Sequence, residues 1–190
     1  MRGGATCVSA VLVSTTLLLA SCRGAPPPSL TPENRLQLSL SPKSFVDSLS
    51  VQQQVHVERD GRTVDFDAVL EVNPQLVTLV GLGFGQRLFT LRYDGTTLDE
   101  TRSDMLPAQV KASDVLSDMQ LALWPIEAIR ASLPTGYVLR DEPLRRILAK
   151  GDAEIVLISY SDSIRWKGQL VINNKEFRYR LVIRTVPDSK

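Results

Sequence analysis

The sequence has few of the residues that carry most enzyme chemistry. It contains a single histidine, His56, and two cysteines, Cys7 and Cys22. One histidine argues against a zinc site, because such sites draw on several histidine and cysteine ligands. His56 stands in the polar register of a predicted strand, and no G-x-S-x-G nucleophile elbow occurs. The sequence therefore predicts no catalytic residues, no metal and no cofactor.

The chain also lacks an excess of charge of either sign. It has 22 basic residues against 21 acidic ones. Binding to nucleic-acid phosphates needs a basic stripe, and none is visible in the sequence. We therefore expect no nucleic-acid partner. Two acidic pairs, Asp65 with Asp67 and Asp114 with Asp118, are interpreted as solvated charge rather than as general acids or metal ligands.

Three glycines in five positions, Gly81, Gly83 and Gly85, do not form a nucleotide-binding loop. A dinucleotide fingerprint needs G-x-G-x-x-G between a strand and a helix, and its third glycine would fall at Gln86. The following segment, 88–93, is rich in β-branched and aromatic residues, which indicates a strand. From these residues alone the stretch is a β-bulge or tight corner with Phe84 packed inside, or an exposed tip.

The N-terminus has the pattern of a secretory signal. Arg2 precedes an uncharged segment, 3–21, whose apolar core at 8–20 is short for a transmembrane span of ~20 residues. Leu19-Ala20-Ser21-Cys22 resembles the bacterial lipobox, in which the peptidase cuts just before a lipidated cysteine. We therefore expect a lipoprotein signal peptide at 1–21 and lipidation at Cys22. A plain signal peptide that happens to contain a cysteine is the alternative.

Lipidation at Cys22 would have consequences for the rest of the chain. Cys7 would leave with the signal peptide, so no disulfide would form in spite of an oxidising compartment. By resemblance to the lipoprotein sorting rule, Arg23 after the cysteine favours the outer membrane, with the domain facing the periplasm. The expected organisation is a proline-rich linker at 22–40, a single domain at 41–187 and a tail at 188–190.

Periodicity predicts mostly strands. A short helix is expected from Ser41 to about Leu49, followed by five strands between Val51 and Thr101. Two amphipathic helices follow, Ser113 to Leu123 with Ser113 as N-cap, and Pro125 to Leu133. Further strands are predicted at 145–150, 154–160, 164–172 and 177–183. The predicted fold is mainly β (α+β): a strongly curved antiparallel sheet of about ten strands, forming an incomplete β-barrel with a helical lid.

The order of these elements resembles the LolA/LolB fold, and in particular LolB, an outer-membrane lipoprotein that receives other lipoproteins from a periplasmic carrier. The chain is also similar to a family of LolB-like outer-membrane lipoproteins without an established function, some of which are encoded beside genes for polyene lipids. The residues that carry this second resemblance are Leu70-Glu71-Val72, Leu79-Val80-Gly81, Gly85-Gln86-Arg87, Leu91-Arg92-Tyr93-Asp94-Gly95 and Leu121-Ala122-Leu123-Trp124-Pro125.

The resemblance implies a function and a set of site residues. It implies an apolar cavity that binds the acyl chains of lipoproteins or other lipids and passes them to the membrane, with a LolA-like carrier as a further partner. The expected lipid-binding residues are Phe66, Leu70, Leu116, Met119, Leu123, Trp124, Trp166 and Leu170. Leu82 and Phe84 align with the protruding loop by which LolB transfers its cargo. The alternative is a structural or assembly lipoprotein with a filled core that docks a protein partner.

Overall fold

The computed structural model describes residues 35–45, 47–106 and 110–187. The predicted signal peptide, Cys22 and the tail at 188–190 lie outside these described residues. All described residues belong to one compact unit, Pro32–Lys190. The described residues share one hydrophobic core, as expected of a unit that folds by itself.

Ten antiparallel strands form one sheet in the order β5-β4-β3-β2-β1-β10-β9-β8-β7-β6. The first meander consists of β1 Leu49–Arg59, β2 Arg62–Val72, β3 Val77–Gly83, β4 Gln86–Tyr93 and β5 Leu98–Arg102. The second consists of β6 Tyr137–Glu142, β7 Arg145–Lys150, β8 Ala153–Tyr160, β9 Gln169–Asn174 and β10 Tyr179–Thr185. The meanders join where β1 pairs with β10, and β5 and β6 form the two edges. The sheet is therefore open.

One face of the sheet is apolar because side chains alternate along each strand. Val55 pairs with Phe66 and with Ile183, and these three residues share what we call the core face. His56 pairs with Asp65 and with Val182 on the opposite, outer face. The period-two pattern of the sequence thus fixes which side of the sheet meets the helices.

Two helices connect the opposite edges of the sheet. α1 Ala112–Leu123 and α2 Ile126–Ser132 lie between β5 and β6 in the chain. The helices contribute several buried residues to the same core as the sheet: Leu116, Leu121, Ala122, Leu123 and Ile129. Trp124, which joins the helices, has an extended backbone, as expected for a residue before a proline, and its side chain is 0% exposed. The helices therefore pack into the same hydrophobic core as the sheet.

The segment Arg35–Phe45, here called the strap, packs along α1. The backbone of Leu40 donates to Gln120 Oε1 at 2.8 Å, and its carbonyl accepts from Gln120 Nε2 at 2.9 Å. Ser117 Oγ accepts from Leu38 N and donates to Leu36 O, each at 3.1 Å. Leu38 is 2% exposed. Residues 35–40, which the sequence analysis assigned to the linker, are thus part of the fold.

Several predicted elements are corrected by the structure. The helix expected from Ser41 to Leu49 is a single 3-10 turn at Pro42–Ser44, because β1 already begins at Leu49. The strand expected at 164–172 begins only at Gln169, after a run of turns. Strand β6 was not predicted. Ser113 is not the N-cap of α1, which starts at Ala112 after Lys111 without a side-chain cap.

Candidate functional site

The β3–β4 hairpin exposes apolar side chains at its tip. Phe84 is 90% exposed and Leu82 is 38% exposed. The alternative in which Phe84 packs inside a corner is therefore wrong. A phenylalanine in this position contributes almost no apolar burial to folding, so stability does not account for its presence.

The tip is a two-residue turn of the type normally made by Asn-Gly or Asp-Gly. Gly83 pairs with Gln86, and Phe84 and Gly85 have φ values of 53° and 73°. Both left-handed values define a type I′ turn, in which a bulky aromatic residue is rarely found. The neighbouring β1–β2 turn has the same geometry and uses the favoured pair, Asp60-Gly61, at 50° and 74°. The β1–β2 turn is therefore an internal reference for the free energy that Phe84 costs in this turn geometry.

A β-bulge at the base of the hairpin explains the first glycine. Gly81 pairs with Phe89 and Leu82 with Arg87, which leaves Leu88 as the extra residue. A Cβ atom at Gly81 would come within 2.3 Å of the Phe89 ring. Gly81 is therefore required by the packing of Phe89, whose ring meets Phe66 edge-on at 5.9 Å between centroids.

A half-buried apolar patch lies on the core face beside α1. Val57 pairs with both Val64 and Leu181, one step along the strands from Val55, Phe66 and Ile183. Val64 is 42% exposed. The half-buried residues that pack against the core here are Val57, Phe66, Val115, Met119, Leu181 and Ile183. These side chains are partly exposed to solvent, whereas the packed residues of the same core are buried.

The eight predicted lipid-binding residues lie in one hydrophobic cluster, but their exposure separates them into two groups. Five are buried: Leu70, Leu116, Leu123, Trp124 and Leu170. Three are partly buried: Phe66, Met119 and Trp166. Phe66 and Met119 belong to the half-buried patch, whereas Trp166 packs on Phe45 of the strap, with ring centroids 5.8 Å apart. Leu82 and Phe84 lie apart from this cluster, at the hairpin tip.

A buried polar network holds α1 next to strand β10. Arg35 Nη2 lies 2.8 Å and 2.9 Å from the two carboxylate oxygens of Asp118. Tyr179 Oη donates to Asp118 at 2.6 Å and accepts from Asn174 at 3.0 Å. Burial raises the pKa of Tyr179, so the phenol keeps its proton and remains a donor. The interpretation of Asp118 as a solvated charge was wrong. Val115 lies one turn before Asp118, so the network fixes the part of α1 that carries this residue of the half-buried patch.

A second polar anchor fixes the C-terminal end of α1. Arg146 on β7 is 2% exposed and points to the core face. Its Nη1 donates to Leu121 O at 2.7 Å and to Trp124 O at 3.0 Å. The carboxylate of Asp141 accepts hydrogen bonds from Nε and Nη2. A guanidinium at a helix C-terminus satisfies free carbonyls and complements the helix dipole. An arginine on the apolar register of β7 was the sequence signal for this contact.

The outer face carries the histidine of the chain in a charged setting. His56 Nδ1 lies 2.6 Å from Asp65 Oδ1, and Nε2 lies 3.3 Å from Glu58 Oε1. The hydrogen bond to Asp65 raises the pKa of His56, and Glu58 adds to the rise. A groove of about 360 Å³ lies between this region and the hairpin tip, lined by His56, Val182, Arg184, Leu82 and Phe84 among others. Within the described residues, no group of three or more His, Cys, Asp or Glu side chains is placed to hold a metal ion.

Comparison with protein families gives one match, which extends from the second residue of β1 to the end of the described chain. The matched family is described as "Protein of unknown function (DUF3261)" and covers residues 50–187. The chain belongs to the DUF3261 family. No curated protein matches the sequence. The DUF3261 match includes the hairpin tip, both helices and the half-buried patch but leaves out the whole strap. In the part of this DUF3261 protein that the structure describes, no helix combines the length and apolar character needed to cross a membrane.

Proposed function

We propose that the protein is an outer-membrane lipoprotein of LolB-like architecture that binds acyl chains and passes them to the membrane. In this proposal the open sheet curves into an incomplete barrel with α1 and α2 as its lid. Cys22 carries the lipid anchor, and the folded unit faces the periplasm. No cofactor is needed, because the acyl chain moves from a weaker apolar site to the stronger apolar environment of the bilayer.

The exposure of Phe84 is the observation that carries the proposal. A side chain that is 90% exposed and has left-handed backbone geometry lowers stability without contributing to the core. Such a residue is explained by a role outside the folded unit. An aromatic side chain at a narrow tip is suited to entering the apolar edge of a lipid layer.

The half-buried patch supplies the place for the acyl chain. Its side chains include Met119 and Phe66, and methionine adapts to apolar ligands of varied shape. The patch lies on the core face, where α1 is held at its middle through Asp118 and at its C-terminal end by Arg146. We infer that the acyl chain lies between α1 and β10, and that a LolA-like carrier delivers it there.

The binding step is tested with a fluorescent apolar dye displaced by palmitate. Leu181→Gln places a polar group in the patch and should weaken palmitate binding about tenfold, because burying a leucine side chain is worth about 1.5–3 kcal/mol. Ile164→Gln is the matched control, since Ile164 is an exposed apolar residue in the turns before β9. Equal affinity of wild type and Leu181→Gln would contradict the assigned site.

The transfer step is tested at the hairpin tip. Phe84→Glu should block the passage of bound palmitate to phospholipid vesicles and leave dye and palmitate affinity unchanged. Leu144→Glu, at an exposed leucine in the β6–β7 turn, is the control for adding a carboxylate to an apolar surface position. Unchanged transfer by Phe84→Glu would remove the hairpin from the mechanism.

A second function is favoured by the five fully buried residues of the predicted lipid site. Trp124, Leu116 and Leu70 have almost no accessible surface, as expected if the protein's own side chains fill the space under the helices. In that case the protein is an assembly lipoprotein, and its exposed tip docks a protein partner. Absence of any dye or palmitate binding by the wild type would favour this function.

A further inference from the structure

One groove at an end of the sheet concentrates positive charge. The groove, of about 530 Å³, lies between the β1–β2 turn and the β9–β10 turn. Five basic side chains line it, Arg59, Arg62, Lys175, Arg178 and Arg180, against two acidic ones, Glu58 and Asp60. The chain as a whole is nearly balanced, with 22 basic and 21 acidic residues. We call this feature the basic groove.

Two arginines of the basic groove remain available for a ligand. Arg180 Nη1 lies 2.8 Å from Glu58 Oε1, and Arg59 Nε lies 3.6 Å from Asp60 Oδ2, so each acidic residue has a partner. Arg62 and Arg178 are exposed, and neither forms an ion pair with another described residue. A guanidinium group offers a planar fork of donors that matches phosphate oxygens.

The backbone of Arg178 is a second, independent indication of function. Its φ of 54° lies in the left-handed region, where a residue with a long side chain costs free energy. The turn is held by Asn174 Oδ1, which accepts from Phe177 N at 2.8 Å. Glycine or asparagine would suit the position of Arg178 better for stability alone, and such strain is concentrated at functional sites.

The basic groove and Phe84 lie at the same end of the sheet. The turns β3–β4, β1–β2 and β9–β10 belong to three neighbouring hairpins in the strand order β4-β3-β2-β1-β10-β9. Strands in a sheet are about 4.8 Å apart, so the turns at 84–85 and 175–178 are separated by about 20 Å along the sheet. The three non-glycine residues with left-handed φ, counted over the described residues, are Asp60, Phe84 and Arg178, one in each of these turns.

We propose that this end of the sheet docks on a membrane surface that contains anionic phospholipid. Arg62 and Arg178 bind lipid phosphates, while Phe84 enters the layer beneath them. The inference rests on the proposed function for the direction of transfer and adds the headgroup charge that the protein selects. Free phosphate has the same binding chemistry, but the exposed apolar tip beside the basic groove fits a lipid surface and has no role with a free ion.

The experiment uses residues 32–190, so that no lipid anchor contributes to binding. Partition onto vesicles of phosphatidylcholine with phosphatidylglycerol is compared with partition onto pure phosphatidylcholine by co-sedimentation. Arg62→Glu/Arg178→Glu should lower partition onto the anionic vesicles by at least about 25-fold, since a basic residue near such a surface contributes about fivefold. The matched control is Arg92→Glu/Lys167→Glu, which makes the same charge change at exposed residues near the opposite end of the sheet.

The outcomes separate the possible ligands. Loss of anionic binding in the groove variant with retention in the control supports the proposal. No preference of the wild type for anionic vesicles, an equal loss in both variants, or saturable binding of inorganic phosphate alone without vesicle binding would overturn it. Palmitate binding is measured on the same samples. If the wild type binds palmitate but does not prefer anionic vesicles, only this inference is contradicted. If the wild type binds anionic vesicles but not palmitate, the proposed function is contradicted.

Discussion

Arg35 and Asp118 form a two-contact ion pair, at 2.8 Å and 2.9 Å, between the strap and the middle of α1. Both side chains are largely shielded from water, at 10% and 14% exposure. The guanidinium also lies over the ring of Phe177, with 5.0 Å between Cζ and the ring centroid. A residue that the sequence analysis placed in the linker thus connects a helix of the core with the β9–β10 turn.

Arg35→Ala should lower the free energy of unfolding by about 3 kcal/mol, because it leaves the buried carboxylate of Asp118 without its cation. Arg140→Ala removes an exposed pair with Glu154 and should cost no more than about 0.5 kcal/mol. Chemical denaturation of both variants gives the comparison. Losses of equal size would show that the strap does not hold α1.

Arg146→Ala should also destabilise the fold by about 3 kcal/mol, since it leaves the carbonyls of Leu121 and Trp124 without a buried donor and removes one of the two arginines paired with Asp141. The adjacent Arg145 provides the control, because its side chain is 53% exposed and pairs with Glu142 at the surface. Arg145→Ala should change the free energy of unfolding by less than about 0.5 kcal/mol. An unchanged denaturation midpoint in Arg146→Ala would contradict the role of Arg146 as the C-terminal anchor of α1.

Phe84→Asn should stabilise the protein by about 0.5–1 kcal/mol, because asparagine tolerates the left-handed backbone of a type I′ turn. The reverse change in the matched turn, Asp60→Phe, should destabilise by a similar amount. Thermal unfolding tests both. A loss of stability in Phe84→Asn would mean that the ring of Phe84 packs on the protein, contrary to its exposure.

The hydrogen bond that Asp65 accepts from His56 Nδ1 predicts that His56 titrates above its ordinary pKa of about 6.5. A raised pKa in the folded state stabilises the protein below the unfolded pKa, and this contribution is lost as pH rises through the folded value. NMR can follow this titration directly, since the chain has one histidine. Asp65→Asn should lower the pKa of His56, while Asp67→Asn should change it little. Equal effects of the two variants would assign the shift to general charge rather than to the hydrogen bond.

Periodicity predicted most of the sheet but failed where burial did not follow a simple pattern. β6 was missed because its second half, Arg140-Asp141-Glu142, is fully charged, whereas only Leu139 is buried. Residues 164–168 alternate in polarity yet form turns, since Trp166 packs on Phe45 rather than on a neighbouring strand. The strap did carry a signal: Leu36, Leu38 and Leu40 alternate with polar residues, as in a strand.

The candidate site was predictable to a similar extent. Apolar spacing placed the helices, and with them Met119, in the core, and the glycines marked the turn between β3 and β4. The choice of Phe84 as an exposed tip residue came from the resemblance to LolB. The polar anchors could not be predicted, because Arg35, Asp118 and Tyr179 are far apart in the chain and meet only through tertiary packing. The same limit applies to the basic groove, which forms from two turns more than 100 residues apart.

Lipid carriage is tested most directly by measuring the mass of the purified protein. Residues 32–190, exported into the native envelope and purified without detergent, are examined by mass spectrometry under non-denaturing conditions. A lipid carrier should show an added mass that organic solvent releases as lipid and that is reduced in Leu181→Gln. A protein that has only its own mass, and that stays so after incubation with phospholipid and palmitate, would contradict lipid carriage.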